Sequence, residues 1–115
     1  MHCTREELAA IIEEFEQESG LTSAYYEFEN KEAQEPPFFV WFLSVNTDVH
    51  ADDQNYVDKE VFNLELYTSF RDFELEKTFD GLMTAKGFSY DKQAAFVQAE
   101  RIWQISYESE VIING

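Results

Sequence analysis

Three carboxylates and one imidazole fall within a few residues of each other at Asp48, His50, Asp52 and Asp53. No other segment gathers metal-ligand types so closely, and the set combines hard oxygen donors with a single nitrogen. The spacing matches neither the calcium loop of helix–loop–helix sites nor a zinc-binding histidine pair. The segment therefore reads as a solvated acidic loop, and no metal is expected. Cys3 beside His2 places a thiol next to a base. A thiolate nucleophile needs that base held in position, and the first residues of a chain are expected to be too loose to hold it. The four glycines are isolated, and none leads into a Lys-Ser/Thr pair, so no phosphate-cradling loop is present. Carboxylates are so numerous that no pair stands out as an acid–base dyad. The expectation is a protein that is not an enzyme and carries no cofactor.

The charge balance narrows the partners. Eight Lys and Arg stand against 24 Asp and Glu, a formal net charge of −16 over 115 residues. Binding a phosphate backbone requires basic residues that displace counterions, so direct nucleic-acid binding is excluded as the main role. An anionic membrane surface is disfavoured for the same reason. The charge suits a soluble protein with a basic partner, or one that stays near nucleic acid without adhering to it. A hydrophobic content of 44% excludes general disorder, and the length suits one domain, residues 1–115. Eleven Phe, six Tyr and two Trp exceed what so small a core buries easily, which points to aromatic residues at an interface. The single cysteine excludes an intrachain disulfide and fits a reducing compartment. No apolar leader is apparent, and the longest apolar run, Phe38 to Leu43, is far too short to span a bilayer.

The elements that would position these residues follow from periodicity. Thr4 and Glu7 form a capping-box signature, and Leu8, Ile11, Ile12 and Phe15 recur at helical spacing, giving an amphipathic helix over 4–18 that stops at Ser19-Gly20. Thr22 to Phe28 reads as a short strand, and Pro36-Pro37 opens a second at Phe38 to Val45. That second strand is apolar on both faces, so it needs a cover on each side, and the cover not supplied by helices hints at an oligomer. Residues 46–56 form a loop without Gly or Pro, a segment suited to contact. From Glu60 to Tyr67 the chain alternates, with Phe62, Leu64 and Leu66 on one side and Glu60, Asn63, Glu65 and Tyr67 away from them. Asp72 caps a second helix with an inner stripe of Leu75, Phe79, Leu82 and Met83, ended by Gly87. Phe88 to Tyr90 reads as a short strand. Within Val97 to Ile113, Trp103, Ile105 and Tyr107 oppose Ile102, Gln104, Ser106 and Glu108. The fold class is therefore α+β: a mainly antiparallel sheet of four to six strands with two amphipathic helices on one face. Trp41, Tyr56 and Tyr67 are the candidate subunit-interface residues, as aromatic side chains expected to point away from the helices.

The Pro36-Pro37 strand start, Ala51-Asp52-Asp53-x-x-Tyr56, Leu64-Glu65-Leu66-Tyr67-Thr68, Asp72-x-Glu74-Leu75-Glu76 and Glu100…Gln104-x-x-Tyr107-Glu108-x-Glu110 occur in a specific order. Together they resemble the small tail-completion, or tail terminator, proteins of long-tailed bacteriophages and prophages of Gram-positive hosts. The likeness covers about residues 36–112. Phe73 follows the capping Asp72 where members of that family often have Pro. The resemblance implies a homo-oligomeric ring, usually a hexamer, seated on the head-proximal end of the tail tube. Its partners would be the tail tube protein and a head-completion or connector protein. DNA would pass through without specific binding, and no membrane would be involved. Assembly would occur in the host cytoplasm, and the finished ring would belong to the virion neck. Asp48, His50, Asp52, Asp53 and Tyr56 would then form a loop facing the lumen or a partner. A head-side connector of the same neck is one alternative. An acidic inhibitor or DNA mimic bound to a basic protein is another, of a different class.

Overall fold

The computed structural model describes residues 1–26, 35–45 and 58–114. In chain order their elements are β1 (His2–Cys3), α1 (Arg5–Ser19), β2 (Ser23–Tyr25), β3 (Phe38–Val45), β4 (Asp58–Thr68), α2 (Phe73–Ala85), β5 (Asp91–Val97) and β6 (Ile102–Ile113).

Both helices start where local chemistry dictates. Thr4 Oγ1 accepts from the Glu7 amide at 3.1 Å, and Glu7 Oε1 accepts from the Thr4 amide at 3.0 Å, a complete capping box. Gly20, at φ +75°, ends α1 by donating its N–H to the Glu16 carbonyl at 2.9 Å. Asp72 caps α2 by accepting from the Leu75 amide at 3.1 Å. Past Lys86 the chain reverses at Gly87, φ +84°.

The sheet is mixed rather than mainly antiparallel. Its order is β1-β6-β4-β3-β2, and β5 joins the side of β6 that β4 leaves open. β3–β4, β4–β6 and β5–β6 are antiparallel, whereas β1–β6 and β2–β3 are parallel. The two parallel ladders are short additions at the margins, and periodicity alone carries no signal for the direction of such short strands.

Register assigns the faces. Leu64 lies opposite Trp41 on β3 and Tyr107 on β6, and Leu66 lies opposite Phe39 and Ile105. These side chains share one core with Leu8, Ile12 and Phe15 of α1 and Phe79 and Met83 of α2. Phe79 sits at its centre, 5.2 Å from the Phe39 ring and 6.3 Å from that of Phe15, both edge-on. The other face carries Phe38, Val40, Phe42, Asn63, Glu65 and Tyr67 by the same register. It is not bare: Val40 is 6% exposed and Asn63 8%. Part of the second cover that β3 needs is thus supplied by the chain itself.

Three further sequence expectations are corrected. Phe88 to Tyr90 is not a strand; Phe88 is buried and stacks on Phe62 at 5.0 Å, and the strand begins at Asp91. The extended stretch expected within Val97 to Ile113 is β6, Ile102–Ile113, with Val97 closing β5 before a turn over 98–101. Glu60 has the parity of Phe62 and not of Asn63, and it receives Arg5 Nη2 at 3.4 Å. Residues 2–3 are not loose, because they pair with Ile112 and Ile113. Among the described residues, no helix is long and apolar enough to cross a membrane.

Candidate functional site

Asp48, His50, Asp52, Asp53 and Tyr56 lie outside the described residues. His2 and Cys3 are described, and strand alternation separates them: His2 is exposed while Cys3 is buried. Burial, followed by the charge of Glu7, raises the Cys3 thiol above its ordinary value and keeps it protonated. The pair therefore does not assemble into an activated nucleophile.

Trp41 stands on the core side of β3, packed against the core, with its ring 4.7 Å from Tyr25 and 6.3 Å from Phe62. The orientation that selected it as an interface residue does not hold. Tyr67 does lie on the opposite face, stacked on Phe38 at 5.1 Å. Its hydroxyl donates to Glu65 Oε1 at 3.1 Å, and Gln104 Nε2 donates to Glu65 Oε2 at 2.7 Å. Burial, then the Glu65 charge, raises the Tyr67 hydroxyl above its ordinary value. Nearby, Tyr26 stacks on Phe42 at 5.0 Å and donates to the Leu43 carbonyl at 3.2 Å. This face offers hydroxyls and an amide around a carboxylate, with aromatic rings beside them. The arrangement suits contact rather than group transfer.

The densest charge cluster was not apparent in the sequence. Glu76 of α2 is 2% exposed and accepts from Arg71 twice, Nε to Oε2 at 2.7 Å and Nη2 to Oε1 at 3.1 Å. Lys92 of β5 lies 3.1 Å from Glu76 Oε1 and 3.1 Å from Asp80 Oδ1. Tyr107 of β6 completes the group: its hydroxyl donates to Asp80 Oδ1 at 2.6 Å. The Arg71 hydrogen bonds hold the Glu76 carboxyl below the usual carboxylate range; burial opposes this and Lys92 reinforces it. Burial works against the Lys92 charge, yet its bonds to Asp80 and Glu76 leave its ammonium above the ordinary value. Burial, then Asp80, pushes the Tyr107 hydroxyl well up. Two cations and two carboxylates cancel, so the cluster ties α2 to the β5–β6 hairpin as a closed clamp. The sequence did carry a signal: Glu76 precedes Phe79 by three and Met83 by seven, which places it on the buried stripe.

A cleft of about 610 Å³ opens where β6 is flanked by neither β1 nor β5. Asp91, Glu108 and Glu110 line it against a single Lys59, an arrangement that disfavours an anionic ligand. Among the described residues, no three His, Cys, Asp or Glu side chains converge as a metal site would require. Comparison with protein-family models and with curated proteins finds no match for this chain.

Proposed function

We propose that the protein is a structural part of a bacteriophage neck: a homo-oligomeric, usually hexameric, ring that caps the tail tube, ends its polymerisation and joins the tail to the head. The disposition of charge carries this reading. Seven of the eight Lys and Arg are among the described residues, and Arg5, Lys59, Arg71, Lys86 and Lys92 are held by the chain's own carboxylates. Little positive charge remains to meet a phosphate backbone, while Glu6, Glu13 and Glu18 of α1 are exposed. A channel of such subunits repels DNA within about a Debye length, roughly 8 Å at physiological salt, so that DNA slides without adhering. The reading takes both helices to lie on the core face, leaving the other face and the sheet margins for neighbouring subunits, tube and head. Asp48, Asp52 and Asp53 are assigned to the lumen or the tube contact. No catalytic residue is required.

Electron microscopy of lysates from a parent phage lacking this gene tests the proposal. Overlong, headless tails beside filled heads are expected. Tails of normal length beside emptied heads would move the protein to the head side of the neck, and intact virions would overturn the structural role. The exposed acids of α1 also favour a second reading, an acidic inhibitor of a basic protein. Retention on an immobilised basic nuclease that persists at high salt would favour it.

A further inference from the structure

Three strands of the sheet are paired along one side only among the described residues, β1, β5 and β2; β1 is two residues long, which leaves β5 and β2 as the margins long enough to take a further strand. Such a strand presents a row of free N–H and C=O groups, and proteins usually blunt it with proline, a bulge or outward charge. β5 has none of these over Gln93-Ala94-Ala95-Phe96-Val97, which is exposed up to Val97. The charge that precedes this stretch, Lys92, is drawn inward to Glu76 and Asp80. β2 and its flanks, Leu21 to Tyr26, are also uncharged. Asp91, at the start of β5, is the one carboxylate on these two strands; in a chain of net charge −16, two copies approach with least electrostatic work along the stretches 93–97 and 21–26, which carry none.

Strand direction and side-chain parity select how those margins meet. β2 runs with β3, against β4, with β6 and against β5. If every copy keeps the same direction around an axis along the strands, β5 of one copy therefore meets β2 of the next antiparallel. The faces match as well. Phe96 shares a face with Trp103, and Tyr25 with Trp41, so both rings lie on the core side of the sheet. Both are large and exposed, Phe96 at 44% and Tyr25 at 49%. Ala95 and Ala24 occupy the other side, where small residues let the backbones approach. Aromatic pairs on one face of adjacent strands are a recognised source of sheet stability.

We propose that copies of this chain join head to tail by antiparallel pairing of β5 with β2 of the next copy, continuing one sheet across the seam. Because the two surfaces differ, the contact is heterologous, and constant rotation closes it into a ring. Only the closure rests on the ring reading above.

Disulfide trapping tests the contact. In a Cys3→Ala background, Ala24→Cys is made as one protein, and Gln93→Cys, Ala95→Cys and Val97→Cys as three others, all on one face of the sheet. Circular dichroism melts first establish that each is folded. Each β5 variant is mixed with A24C at high concentration and high salt, oxidised, and resolved by non-reducing gel and peptide mass spectrometry. A mixed disulfide to residue 24 is expected with at least one β5 position, and none in any protein alone. Absence of every mixed disulfide would overturn the proposal. A disulfide formed by a β5 variant with itself would replace head-to-tail pairing with a two-fold β5–β5 contact. The deletion phenotype separates the two claims. Overlong tails without the mixed disulfide keep the ring and overturn this seam, whereas the mixed disulfide with intact virions keeps the seam and overturns the ring.

Discussion

At the scale of single residues, the informative group is Glu76. It is nearly inaccessible, while its cations Arg71 and Lys92 are 32% and 28% exposed at their side chains. Removing one member of a fully buried pair costs about 3–5 kcal/mol, and partial exposure of the cations screens this one. Glu76→Gln is therefore expected to lower stability by roughly 2 kcal/mol in urea denaturation. The pH dependence has a defined sign. The folded carboxyl sits below its unfolded value, so its contribution is complete at neutral pH and is lost as the pH falls through the folded value. The wild type is expected to weaken below about pH 4, with a shallower slope in E76Q. Equal slopes would mean that another carboxylate governs acid unfolding. Sequence reasoning found Tyr67 on the correct face through strand alternation. It misplaced Trp41, because β3 is apolar on both sides and alternation there has no polar reference.

At the scale of elements, legibility tracked periodicity. α1, β3, β4 and α2 were readable because caps and apolar spacing agree with the final structure. β5 was not. An exposed marginal strand shows no alternation, and its turn to β6, Gln98-Ala99-Glu100-Arg101, has no Gly, Asn or Pro to announce it. Arg101 takes the left-handed position, φ +56°, that such residues usually hold. β1 was missed because two residues carry no pattern at all. The ends of α1 give a paired prediction. Thr4→Ala removes half of the capping box and is expected to cost about 1 kcal/mol. Gly20→Ala meets no atom within 4 Å but must hold φ +75°, and is expected to cost about 1 kcal/mol through backbone strain alone. Chemical denaturation of both variants checks this, and a neutral Gly20→Ala would show that the helix end relaxes.

At the scale of the whole molecule, a charge of −16 opposes any encounter between copies. Raising NaCl from roughly 0.05 M to about 0.5 M shortens the Debye length and is expected to increase self-association, as read by sedimentation velocity. Association that falls with salt would instead point to ion pairs across the contact. The placement of β6 has a consequence in time. β1, β4 and β5 all attach to it, and of the described elements it is the last to be synthesised. While translation continues, Leu64 and Leu66 lack Tyr107 and Ile105 beside them, and His2 and Cys3 wait for partners some 110 positions away. Sheet closure is thus confined to the moments after residues 102–113 leave the ribosome, and until then the apolar β3–β4 pair is the part of the nascent chain that a chaperone would hold.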